Sequence, residues 1–218
     1  MAAETAGGRP RGPLLDAPTW HALAREPPLG SHILQLYEER RREVEVACAF
    51  VAAALQRGER VCCVGSARDI APIRQAVEAV GLEVDPLLQS GALLITNRLV
   101  LNGGSRTADE VSERSVSQFI HEMFDGVPGR YPAVRLWTNR IARFFEDGRF
   151  DQAIGFEQSC HERREALPWS LLCAYDARRL VPERHAAAFW EVLRNHSHLI
   201  PAGQLGVALE LFPNGGRP

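Results

Sequence analysis

Short apolar runs alternate with helix-length amphipathic segments along nearly the whole chain, and that alternation restricts the fold class more than any other feature. A strand-like run at 31–37 leads to a helix at 41–57, where Val44, Ala47, Val51, Ala54 and Leu55 recur on one face. Gly58 sits where a helix-capping glycine belongs, and 60–65 is a continuous apolar strand of the kind buried on both faces of a parallel sheet. Ser66-Ala-Arg-Asp69 resembles a capping arrangement, and Pro72 suits a first helical turn, predicting a helix over 69–80 that stops at Gly81. A helical turn begins at Asp85-Pro86 and ends at Gly91, before a strand at 92–96. Asn102-Gly-Gly104 marks a loop, and Thr107-x-x-Glu110 is a capping box for a helix reaching Asp125. The pattern then repeats, with strands at 132–138 and 169–175, helices at 150–167 and 182–195, and a last apolar segment at 204–211. Each helix is long enough to cross over a sheet. The expected fold is α/β and three-layered, with a mainly parallel sheet and helices on both faces.

With 218 residues and 45% apolar content, the chain can bury a sizeable core as one domain, expected over 30–212. Residues 1–29 are rich in Gly, Pro and Ala and are expected to form a flexible tail, although Trp20-His-Ala-Leu23 could make a short docking helix. Residues 213–218 form a C-terminal tail. A net charge of −2 with interspersed signs offers no attraction to nucleic acid or to an anionic membrane. No apolar run approaches the ~20 residues of a membrane span, and no secretory signal is visible. Cys48, Cys62, Cys63, Cys160 and Cys173 are odd in number and contain no C-x-x-C pair, which suits buried reduced thiols in the cytoplasm. Cys62 and Cys63, adjacent on a strand, should face opposite sides of the sheet.

Parallel sheets bind ligands beyond the carboxyl ends of their strands. Three predicted ends carry polar groups: Tyr37-Glu38, preceded on its strand by His32; Trp137-Thr138-Asn139-Arg140; and Cys173-Ala-Tyr175-Asp176. If the first strand is central, His32, Tyr37, Glu38, Asn139, Tyr175 and Asp176 form the expected ligand-binding set, orienting a small organic molecule by stacking and hydrogen bonds. The plainer alternative is that the tyrosines pack and the acids cap the following helices. No nucleophile is paired with a base, so no catalytic residue is expected. No G-x-x-x-x-G-K-[ST] motif occurs, and the 133–137 strand ends in neutral Thr138-Asn139 where an ATPase needs a magnesium-holding acid. His196-x-His198 lacks local partners for a zinc set and reads as a surface or strand-entry pair. Cys160 and His161 project about 100° apart on a helix and make a poor catalytic couple. No metal and no cofactor are expected.

A helix running into Arg57-Gly-Glu-Arg60 and an apolar strand is the phrasing of RecA-like domains, but a His and a Tyr stand where the phosphate loop would be. Four places in order resemble the MEDS sensory family: His32-Ile-Leu-x-x-Tyr37-Glu38, the Arg57-Gly-Glu-Arg60 helix with its strand, Leu172-Cys-Ala-Tyr-Asp176, and Arg194-Asn-His-Ser-His-Leu-Ile200. The resemblance implies a RecA/KaiC-like fold without a working phosphate loop, in a bacterial or archaeal cytoplasmic signalling protein. It further implies a small organic ligand or a signalling partner such as a histidine kinase, a sigma-factor regulator or a transcription regulator. Many members carry a Gly-Glu-Met-like element where this chain has Thr138-Asn139-Arg140, a difference that removes one charge from the crevice. Two other functions fit the residues. One is an atypical nucleotide binder holding phosphate on backbone amides near Gly30-Ser31, and the other is a protein-binding adaptor without a small ligand.

Overall fold

The computed structural model describes residues 18–97, 113–124, 127, 129–164, 166–180, 185–203 and 206–212. The predicted loop at Asn102 and the capping box at Thr107 lie outside them. The core is a seven-stranded sheet built from β1 (His32–Tyr37), β2 (Arg60–Val64), β3 (Leu93–Thr96), β4 (Val134–Thr138), β5 (Trp169–Asp176), β6 (His198–Ile200) and β7 (Leu209–Glu210). Their order across the sheet is β3-β2-β4-β5-β1-β6-β7, and every pairing is parallel except β6 with β7. Strand β1 is therefore interior, flanked by β5 and β6.

Side-chain alternation divides the core into two apolar clusters, one on each sheet face. Ile33, Val61, Cys63, Trp137 and Leu172 belong to one cluster with α2 (Arg40–Gln56), α3 (Ala67–Ala79) and α4 (Val84–Ser90). Leu34, Cys62, Leu136, Cys173 and Tyr175 pack against α5 (Glu113–Phe124), α6 (Arg140–Glu146) and α7 (Phe150–Arg163). Cys62 and Cys63 do face opposite sides. The long apolar stripe of α2 is fully used: Val46, Ala47, Phe50, Val51 and Ala54 have no exposed surface. Each of its large side chains contributes roughly 1.5–3 kcal/mol by leaving water.

Several elements differ from expectation. Helix α3 starts at Ala67 because the Ser66–Asp69 capping box is complete, with Asp69 N–H donating to Ser66 Oγ and Ser66 N–H donating to Asp69 Oδ2. Pro72 is consequently inside the helix, beyond its first turn. The segment after β4 is a separate helix, α6, and α7 stops at Arg163 rather than at 167. After β5 comes a short α8 (Ala177–Leu180), and α9 (Ala186–Arg194) then leads to β6.

Part of the predicted tail is ordered structure. Between the two short flanks of 18–29, Trp20–Arg25 forms a helix, α1, which is capped by the Thr19 hydroxyl and buries Leu23 and Ala24. The helix falls on the Trp20–Leu23 island that the sequence offered as a short docking helix, and its anchor is a bond to its own backbone that composition does not display. The Arg135 guanidinium, 1% exposed, donates to Ala24 O, Arg25 O and Phe50 O at 3.0 Å each. It also makes a two-point pair with Glu59, at 2.7 and 3.2 Å. One buried cation thus joins α1, α2, the turn before β2, and β4.

Candidate functional site

The chain leaves β1 in one direction, through α2 to β2, and leaves β5 in the other, through α8 and α9 to β6. The carboxyl ends of β1 and β5 are therefore a topological switch point, where open α/β sheets place their ligand crevice. Tyr37 and Asp176 are register partners there, and alternation puts both on the α2 side. Asn139, directly after β4, joins them by donating from Nδ2 to Glu43 Oε1 at 2.9 Å. Glu38 is exposed at the rim.

A group the sequence did not single out organises this crevice. Arg40, in the first turn of α2, pairs with both Glu43 and Asp69. Glu43 is fully buried. Burial pushes its carboxyl above the ordinary range, outweighing the opposing pull of Asn139 and Arg40. The Tyr37 phenol is pushed up by burial and by Glu43 beside it, so it remains a protonated donor. The turn between β1 and α2 is where a phosphate loop would run. Here it is braced by an arginine clasp of the chain's own carboxylates, and the 218 residues include no lysine with which to grip a phosphate.

The other two predicted residues stand elsewhere. His32 is at the opposite end of β1 from Tyr37, about 17 Å away at a strand's rise per residue, and projects from the other face. Tyr175 also projects from that other face, opposite to Asp176. Both belong to a second, wholly buried polar cluster. Its centre is Glu157 on α7, whose Oε1 accepts from the Tyr175 hydroxyl at 2.7 Å and whose Oε2 accepts from the Cys173 thiol at 3.4 Å. His32 Nε2 is 3.0 Å from Glu157 Oε2, and His196 Nε2 is 3.6 Å from it. The two imidazoles stack with ring centroids 4.0 Å apart. Burial pushes both histidines down to about 3, which keeps them neutral, and pushes the Cys173 thiol well up. His196 is thus no surface histidine: its chain enters from the turn between α9 and β6 and ends in the core. Strand parity could have joined His32, Cys173 and Tyr175 in advance. Glu157 sits on a helix whose buried face sequence alone does not pair with a strand.

Asp176 has a local duty as well. It accepts from the Arg178 backbone N–H at 3.1 Å and from that residue's guanidinium at 2.7 and 2.9 Å, at the start of α8. These contacts hold its carboxyl below the ordinary range. At the amino ends of the strands lies a cleft of about 890 Å³, bordered by Gly30, Ser31, His161, Arg164, His196 and Ser197 among others.

A mainly parallel sheet with helices on both faces and a switch point at β1 defines a three-layer α/β domain of RecA-like fold. The chain belongs to the MEDS family, the methanogen/methylotroph DcmR sensory domain, whose match runs over residues 31–197. Among solved structures it is similar to a KaiC-like protein from the hyperthermophilic archaeon Pyrococcus horikoshii, at 12% identity and a TM-score of 0.50, covering 79% of this chain and 72% of that one. It also matches the flagellar accessory protein FlaH of Methanocaldococcus jannaschii, at 15% identity and a TM-score of 0.45, over 79% and 71% of the two chains. The first of these likenesses supports the three-layer, RecA/KaiC-like fold. None of the curated proteins matches the sequence. Among the described residues, no helix is long and apolar enough to cross a membrane.

Proposed function

We propose that this chain is a non-catalytic sensory domain whose input is a small organic ligand or a signalling protein, received at the carboxyl ends of β1, β4 and β5. The observation that carries the reading is the Arg40–Glu43–Asp69 clasp with Asn139. It fills the place of a triphosphate with fixed internal ion pairs and leaves Tyr37 and Glu38 as the groups an incoming molecule would meet, with Asp176 behind them held by Arg178. Tyr37 offers an aromatic face and a donor hydroxyl, and Glu38 offers an exposed carboxylate. This suits a polar or aromatic organic molecule better than a phosphate. Output passes to a partner of the signalling or transcription-regulating kind, consistent with membership of a sensory family.

The test has two arms. In a thermal-shift screen, a compound at 100 times its dissociation constant adds about 2.7 kcal/mol to stability. Tyr37→Ala removes that response while the unliganded protein melts as before. Titration calorimetry with Mg-ATP shows no binding. Micromolar ATP affinity with turnover would replace this reading with that of an atypical ATPase.

The cleft at the amino ends of the strands favours a second location for the same input, since its volume suits a small molecule. A ligand whose stabilisation survives Tyr37→Ala but is lost in Gln158→Ala, on the cleft wall, would place the sensor there.

A further inference from the structure

We infer that His32, Glu157, Cys173 and His196 form a binding site for one divalent transition-metal ion, with zinc the ion that its donors suit best. The site lies on the opposite sheet face from the crevice and does not rest on how that crevice is read.

The donor set comes first. Two imidazole nitrogens, a thiol sulfur and a carboxyl oxygen are the ligand types zinc takes in proteins, and hard cations such as magnesium do not seek sulfur. One ligand atom from each residue lies within 4.8 Å of all the others. Four of the six separations are 3.0 Å from His32 Nε2 to Glu157 Oε2, 3.4 Å from Cys173 Sγ to Glu157 Oε2, 3.5 Å from Cys173 Sγ to His32 Nε2, and 3.6 Å from His196 Nε2 to Glu157 Oε2. Ligands of a tetrahedral ion with bonds of about 2.0–2.3 Å stand roughly 3.3–3.7 Å apart. Small shifts of side chains already in place would therefore complete the polyhedron.

The tautomer of His196 is the second line of argument. Its Nδ1 lies 2.7 Å from Val192 O. A carbonyl oxygen only accepts, so that nitrogen carries the proton and Nε2 carries a lone pair. Nε2 stands 3.6 Å from Glu157 Oε2, another acceptor, and is a buried atom with no hydrogen-bond partner among the described residues. Two acceptors this close in a buried setting are relieved by positive charge placed between them. Among the described residues, the groups that meet the Glu157 carboxyl are Tyr175, Cys173 and the two histidines, with no arginine in the set. A metal ion supplies the missing charge, and a histidine that donates its other nitrogen to a backbone carbonyl is the usual outer arrangement of a ligating imidazole. The Tyr175 hydroxyl fixes the second carboxyl oxygen in the same manner.

Placement adds a third line. The ligands come from β1, β5, α7 and the turn before β6, all rigid supports that hold the geometry without an ion. His196 also borders the cleft at the amino ends of the strands, which gives an ion a way in.

The full chain, stripped with a chelator and then dialysed against micromolar zinc, should retain one zinc per chain by mass spectrometry. X-ray absorption of that sample should show one sulfur among nitrogen and oxygen neighbours. The cobalt-loaded chain should show a thiolate-to-cobalt charge-transfer band, lost in Cys173→Ser and kept in His198→Gln, whose side chain is outside the set. Tyr175→Phe should weaken zinc binding roughly 10- to 100-fold, as the loss of an outer hydrogen bond does. A folded wild-type chain that takes up neither ion would overturn the inference. A metal shell without sulfur would overturn it too, whether or not the Cys173 variant folds.

Discussion

Arg135 is a structural hub among the described polar side chains. It is buried in the middle of β4 and satisfies three carbonyls and a carboxylate at once. Removing one member of a buried ion pair strands the other without solvent, at a cost of about 3–5 kcal/mol. Arg135→Ala should therefore lose stability in that range by urea denaturation, and Arg135→Lys should recover little, because an ammonium cannot reproduce the fork. Gly30 is a second sensitive position. Its φ is +79°, and a Cβ there would come within 3.0 Å of Arg164 O. Gly30→Ala should cost about 1–2 kcal/mol from the left-handed backbone, with the steric clash adding to it. The midpoint of a denaturant melt reads both substitutions.

Helix α3 shows what a cap contributes and how pH acts on it. Burial would raise the Asp69 carboxyl, yet hydrogen bonds from the Ser66 side chain and backbone, with Asn139 and Arg40 beside them, hold it below its ordinary value of 3.8. A carboxyl lowered on folding adds stability that is complete above the ordinary value and fades as pH falls through the lowered one. Glu43 has the opposite sign: raised by burial, it adds stability that is complete below 4.5 and fades as pH rises through the raised value. Stability measured against pH should thus lose part of its acid-side fall in Asp69→Asn, and part of its loss from 4.5 upward in Glu43→Gln. Ser66→Ala should cost about 0.5–2 kcal/mol at neutral pH. The long elements were legible because their periodicity is strong: β1, α2 and β2 lie within a residue or two of expectation. The helix α6 was not, since its N-cap residue Asn139 turns its side chain to Glu43 and the Arg140 N–H is bonded instead by the hydroxyl of Thr138, a strand residue. The two-residue β7 and three-residue β6 are too short to show any period. Helix α1 is held by an arginine 110 residues away, which no local pattern displays.

Taken as one body, the protein places its polar chemistry at two addresses, and the sequence merged them. Tyr37, Asn139 and Asp176 gather at one end of the sheet, whereas His32 and Tyr175 turn inward to Glu157. The merger has a physical origin: proximity in sequence ignores the reversal of facing at every strand residue, and Glu157 enters from a helix whose register against the sheet is a tertiary fact. Loss of the metal-compatible cluster and loss of the crevice should consequently be separable. Tyr37→Ala should leave metal uptake unchanged, and His196→Gln should abolish uptake while leaving the Arg40 clasp in place, as amide exchange of the first turn of α2 would report. Strand β1 is the one element that belongs to both addresses, with His32 at its start and Tyr37 at its finish. Six extended residues paired on both edges hold its two ends a fixed distance apart, so one strand frames two sites that do not touch.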